Sequence, residues 1–201
     1  MDELGLLDWK RRVFALFAAV RAAGGGAAAV ADWRAGRDAL FAEHPQSPLP
    51  AAARAGFAGL EYHSFDPAAR VAAEVVPAEP ARFELDTSAG EPMAFTRFGR
   101  ARFALGGEAC ELELYWLEAY GGGLFVPFAD ATSGKETYGA GRYLLDTVKG
   151  ADLGTHDGRL VLDFNLAYNP SCSYDPRWAC PLAPPANRLA LAVRAGERHT
   201  A

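Results

Sequence analysis

Ten polar side chains crowd the stretch from Asp130 to Asn169: Asp130, Thr132, Glu136, Thr137, Tyr138, Arg142, Asp163, Asn165, Tyr168 and Asn169. Phe125 to Phe128 precede them, and Leu160, Val161, Leu162 and Phe164 surround Asp163. Some of these groups must therefore approach a core, where an unpaired charge is costly. Arg142 is the cation of the set, and its planar fork suits a substrate carboxylate, a phosphate or an internal acid, for which Asp163 and Glu136 are the candidates. One reading makes the set a pocket for an anionic small molecule. In it Arg142 orients the anion, Glu136 or Asp163 accepts hydrogen bonds or acts as general base, and Asn165, Tyr168 and Asn169 complete the polar wall. The other makes the same residues a buried structural network inside an interaction or scaffold protein. Neither catalysis nor its absence follows from these residue types.

Other chemistries find less support. Cys172 and Cys180 are separated by seven residues rather than the two to four of a zinc half-site, and His156 is the nearest histidine, so they read as a structural thiol pair or as filling a small buried apolar role, in preference to metal binding or nucleophilic catalysis. Gly139-Ala140-Gly141 opens like a dinucleotide fingerprint, but Leu144 stands at the third glycine and a polar GKETY precedes it where a buried strand is required. No glycine triplet leads into Lys-Ser or Lys-Thr, and no serine sits in a G-x-S-x-G elbow. His44, His63, His156 and His199 are scattered, with only Glu61 a conceivable same-face partner for His63. No cofactor is expected.

The whole chain bounds these options. It has 201 residues, half of them hydrophobic and 22% charged, enough for one domain with a real core. Twenty basic against 25 acidic residues leave a net charge of −5, which opposes binding to phosphate backbones or anionic membranes. Nucleic acid is not an expected partner, whereas self-association stays open. No run approaches the roughly 20 apolar residues of a membrane span. The opening MDELGLLDWKRR puts acid before base, unlike a secretory signal. Three cysteines, the third being Cys110, are too few and too odd in number for a disulfide scaffold. A soluble, cytoplasmic protein is expected.

The elements that must position the polar set follow from periodicity. Leu7, Val13, Phe14, Phe17 and Val20 predict an amphipathic helix ended by Gly24-Gly25-Gly26; Val30, Trp33, Leu40 and Phe41 predict a second, stopped by Pro45 and Pro48. Beyond Phe57 the period falls to two. Strands are expected at 57–65, 70–76, 82–86, 94–98, 102–105, 111–117, 124–128, 143–148, 159–164 and 189–195. In the sixth of these, Leu112, Leu114 and Trp116 should be buried while Glu111, Glu113 and Tyr115 stay mostly wet. Residues 165–188 carry Pro170, Pro176, Pro181, Pro184 and Pro185 among aromatic rings and read as an ordered loop. The fold class is mainly β (α+β): an antiparallel barrel or sandwich, residues 57–195, behind an N-terminal helical element, residues 1–45, in a single domain.

Two stretches also carry a resemblance. LFVPFADATSGKETYGAGRYL, from Leu124, and DFNLAYNPSCSYDPRWACPLAPPANRL, from Asp163, resemble a family of uncharacterised bacterial and archaeal proteins of about 200 residues, known only as a domain of unknown function. Trp33, Arg37, Asp38 and Phe41, then Ser47-Pro48-Leu49, Phe57 and Gly59-Leu60, extend it toward the N-terminus, and Ala195-Gly196-Glu197 closes it. Ala186 departs from the acid expected in a PP-E-N version, so no carboxylate acts at that position here. The resemblance implies a family-length domain and supplies no reaction.

Overall fold

The computed structural model describes residues 2–118 and 120–199. Helix α1 spans Glu3–Ala22 and α2 spans Ala27–Glu43. Between them Gly24, Gly25 and Gly26 all adopt positive φ, and the Gly25 N–H returns to the Val20 carbonyl, so the triplet both closes α1 and reverses the chain. His44 turns extended ahead of Pro45 and ends α2. Phe17 and Val20 meet Val30 and Trp33 in the core, with the Phe17 and Trp33 rings edge to face at 5.6 Å. Leu7 and Phe14, expected on the buried stripe, remain exposed; the fully buried residues of α1 are Phe17 and Val20. A short α3, Ala51–Arg54, follows.

Seven strands form one antiparallel sheet curled into a half-barrel: β1 Arg70–Leu85, β2 Met93–Leu105, β3 Glu108–Leu117, β4 Leu124–Phe128, β5 Arg142–Asp146, β6 Thr155–His156 and β7 Arg159–Asp163, in the order β5-β4-β3-β2-β1-β7-β6. A second stacked sheet, as a sandwich requires, does not occur among the described residues. The two N-terminal helices pack on this sheet as expected. Two pairs of expected strands fuse. Residues 70–76 and 82–86 are one strand, β1, because a bulge between Pro77 and Ala81 absorbs the prolines without ending the pairing with β2. Likewise 94–98 and 102–105 are both β2, irregular at Phe98. The first four residues of β1 pair with β7, which carries the sheet around.

Two expected strands are absent. Residues 57–65 run as coil with a single bridge, Tyr62 to Glu197, so Glu61 and His63 share no strand face. Residues 189–195 form no strand because the carbonyls of Val193 and Ala195 accept hydrogen bonds from a side chain instead of a neighbouring ladder. The face of β3 expected to be wet is also covered: Glu113 and Tyr115 are buried, Tyr115 in a second apolar cluster with Leu85, Phe95, Phe125 and Tyr143. Trp116, expected inside, is exposed at the strand end. Residues 165–188 are an ordered loop punctuated by 3-10 turns at Phe164–Leu166, Ser171–Ser173 and Pro185–Asn187. Its last turn inserts Asn187 where β3 and β4 part. The carboxamide accepts from the Glu113 N–H at 2.8 Å and donates to the carbonyls of Glu113 at 3.0 Å and Pro127 at 2.7 Å.

Candidate functional site

The hairpin from β4 to β5 brings Arg142 opposite Phe128 and beside Asp130. Arg142 donates to the Asp130 carboxylate at 2.9 Å, to the carbonyls of Val193 at 3.0 Å and Glu197 at 3.2 Å, and to that of Ala195. Its guanidinium lies 5.0 Å from the Phe128 ring centroid. The other oxygen of Asp130 accepts from the Thr132 N–H at 2.7 Å and hydroxyl at 2.6 Å. Arg142 and Asp130 are 1% and 0% exposed. Burial, the largest influence, lowers the pKa of Arg142, and the adjacent Asp130 opposes it.

Neither Asp163 nor Glu136 is the partner of Arg142. Asp163 lies on β7, whose register sets it against Arg70 of β1, 3.1 Å away. Glu136 lies outside on the hairpin, where Arg194 grips both of its oxygens at 2.8 to 3.1 Å. Asp130 stands two residues past the hairpin-paired Phe128, and this local geometry outcompetes an acid from a distant strand.

The remaining candidates belong to other networks. Asn165 bonds Asp163 and both backbone groups of Asp66 at 2.8 to 3.0 Å, tying the loop before β1 to the turn after β7. Tyr168 exchanges backbone hydrogen bonds with Tyr143, and its ring lies under Arg37. Asn169 donates to Glu197 from its backbone at 3.0 Å and its amide at 3.2 Å. Glu197 also receives Arg37 of α2 at 2.8 Å and the Tyr174 hydroxyl. Burial raises the Glu197 carboxyl despite Arg37, Tyr174 and Asn169. The Arg37–Glu197 pair joins positions far apart in the chain, and no local spacing singles it out. None of Arg142, Asp163, Asn165, Tyr168, Asn169 and Glu136 lines either of the two cavities described next.

Those cavities adjoin each other and share Val148, Lys149 and Ala179. The first, about 240 Å³, is walled by Phe95, Leu117, Leu124, Phe125 and Pro181, with Asp146 at its edge. The second, about 300 Å³, runs under Trp9 and Lys10 of α1 to Pro48, Trp178 and Cys180. Lys149 ends a 3-10 turn, Thr147–Lys149, that continues β5. Thr147 holds this turn to β4 by accepting the Leu124 N–H at 2.9 Å. Gly150 closes it at φ 91°, with Phe14 of α1 packed where a Cβ would stand. The Lys149 ammonium is 3.4 Å from Asp146, and its side chain is 58% exposed against 10% for the acid. Burial depresses the Lys149 pKa, but Asp146 and neighbouring thiols leave it raised overall, so it is a cation at neutral pH.

Cys172 and Cys180 are free and buried on the loop beside the second cavity. The Cys172 N–H donates to the Cys180 sulfur at 3.3 Å, the Tyr138 hydroxyl lies 3.8 Å from the Cys172 sulfur, and the Ser88 hydroxyl accepts the Cys180 N–H at 3.1 Å. The hydrogen bond from Cys180 does most to hold the Cys172 thiol down to about 6, against burial, while the same bond pushes Cys180 up. Among the described residues no group of three or more His, Cys, Asp and Glu side chains is placed to hold a metal ion. No described helix is long and apolar enough to cross a membrane.

Comparison with known proteins gives family but no reaction. Residues 55–198 match the family model described as "Protein of unknown function (DUF1684)". The chain is similar to the uncharacterized protein from gene locus rrnAC0354 of Haloarcula marismortui, solved in solution by NMR. Identity is 40% over 83% of this chain and 90% of that one, with a TM-score of 0.60. No functionally curated protein matches.

Proposed function

Because the chain belongs to this family of proteins of unknown function, its role must be read from its own geometry, and we propose that it is a binding protein for a small apolar molecule carrying an anionic group. The single supporting observation is the first cavity, whose aromatic and aliphatic walls are joined by the largely exposed side chain of Lys149. An apolar body buried there leaves water, and its anion pairs with Lys149 at the mouth. Asp146 disfavours a second anionic group and accepts a hydrogen bond from a hydroxyl or amine on the ligand. In this reading Arg142 and its partners are the frame, not the pocket, since they spend their hydrogen bonds on one another. Three free thiols support a reducing, cytoplasmic setting, the acidic balance argues against nucleic acid, and the core shared by helices and sheet supports a single domain.

The test is titration calorimetry with octanoate as the probe. Saturable binding that falls about tenfold in Lys149→Met, equivalent to about 1.4 kcal/mol, supports the reading. Absence of binding, or equal binding by both proteins, overturns it. The second reading, a non-catalytic interaction protein, is favoured by the internal pairing of both terminal nitrogens of Arg142, which leaves only Nε without a partner. It gains if octanoate does not bind and the chain self-associates in sedimentation.

A further inference from the structure

Cys172 and Cys180 serve no evident purpose in the binding reading, yet they are placed together more closely than a merely apolar role requires. The loop doubles back through the turn at Ser171–Ser173, so that the backbone N–H of Cys172 meets the sulfur of Cys180. Ser88, from the turn after β1, clamps the second cysteine through its amide and carbonyl. Tyr138, from the β4–β5 hairpin, approaches the sulfur of the first. Three segments thus converge on two thiols, and one of the thiols, that of Cys180, opens on the cavity of about 300 Å³.

We propose that Cys172 and Cys180 are a reversible dithiol–disulfide couple oxidised by small hydroperoxides, with Cys172 the attacking and Cys180 the resolving thiol. Cys172 is the less buried of the two and has the Tyr138 hydroxyl 3.8 Å from its sulfur; it is also the more acidic, so it carries the nucleophilic thiolate near neutral pH while Cys180 keeps its proton. In the first step the Cys172 thiolate attacks an oxygen of the hydroperoxide. An S–O bond forms and the O–O bond breaks. The alkoxide, or hydroxide from hydrogen peroxide, leaves and takes a proton from solvent, so that Cys172 becomes a sulfenic acid. In the second, the Cys180 sulfur attacks the Cys172 sulfur. An S–S bond forms, the S–O bond breaks, and the hydroxyl departs with the Cys180 proton as water. Two electrons pass from the thiol pair to the peroxide, and two equivalents of an external thiol reverse the reaction by exchange. The confined approach favours a small oxidant over a bulky disulfide, because Cys172 is 9% exposed and Cys180 2%.

Cys110 provides an internal control: it is also 9% exposed, lies on β3 without a partner thiol, and burial raises its pKa. The experiment treats the folded, full-length protein with hydrogen peroxide for increasing times, alkylates the remaining thiols after denaturation, and identifies them by mass spectrometry. Cys172 and Cys180 are expected to lose two hydrogens together, as one intramolecular bridge, at least tenfold faster than Cys110 is oxidised. In Cys180→Ser, dimedone should trap a sulfenic acid at Cys172, and in Cys172→Ser rapid oxidation should vanish. Circular dichroism confirms that both near-isosteric variants fold. Oxidation no faster than at Cys110, a bridge between two chains, or a sulfenic acid that persists in the natural sequence would each overturn the couple.

Discussion

Arg142 and Asp130 form an ion pair 2.9 Å long, sealed from solvent, and the same guanidinium gathers three backbone carbonyls of the C-terminal segment. Asp130 completes the exchange by accepting the Val193 N–H at 3.3 Å. A side-chain pair therefore takes the role that a neighbouring strand would fill, closing residues 193–197 onto the half-barrel.

Removing one member leaves the other buried without its counter-charge. Arg142→Met and Asp130→Asn should each lower stability by about 3–5 kcal/mol in urea unfolding, with strong coupling in the double variant. Glu136→Gln should leave the unfolding midpoint unchanged, since its partner Arg194 is solvent-facing. Additivity between Arg142 and Asp130 would refute the pairing as the closing device.

Asn187 is the only described side chain that bonds both β3 and β4 where they diverge, through three hydrogen bonds in a fully buried site. Asn187→Ala should cost about 2–4 kcal/mol, because the backbone groups it serves lose partners out of reach of water. The Glu113 amide should lose hydrogen-exchange protection while that of Leu162 keeps it.

Ala179 borders both cavities and is itself exposed. Ala179→Leu should fill the shared space and abolish octanoate binding, with stability changed by less than about 1 kcal/mol. Calorimetry and urea unfolding on the same sample separate occlusion from misfolding.

Glu113 sets an acid limit. Burial pushes its carboxyl up, but the Tyr115 hydroxyl at 2.7 Å and Arg97 at 2.8 Å outweigh it, leaving the folded value below the ordinary one. A carboxyl lowered by folding contributes its full stabilisation above its unfolded pKa and loses it as pH falls through the folded value. Stability should therefore decline below about pH 4.5, and Glu113→Gln should flatten part of that decline in unfolding midpoints taken from about pH 3 to 6.

The local features of this fold were legible in residue order. The helix pair follows from apolar spacing and the Gly24–Gly26 triplet, and β3, β4 and β7 follow from alternation and aromatic content, because periodicity acts within a few residues. Prolines at 77 and 80 concealed the continuity of β1, since a bulge restored by β2 is a property of two strands and not of one. The polar concentration was visible too, but not who pairs with whom. Asp130 rather than Asp163 meets Arg142 because the hairpin register decides it, and Arg37 meets Glu197 only when α2 and the C-terminal segment are laid together. Lys149 gained its cavity in the same way, from walls supplied by β2, β4 and the proline-rich loop. Residue type and spacing determine which groups need partners; packing across the sheet alone decides which groups answer.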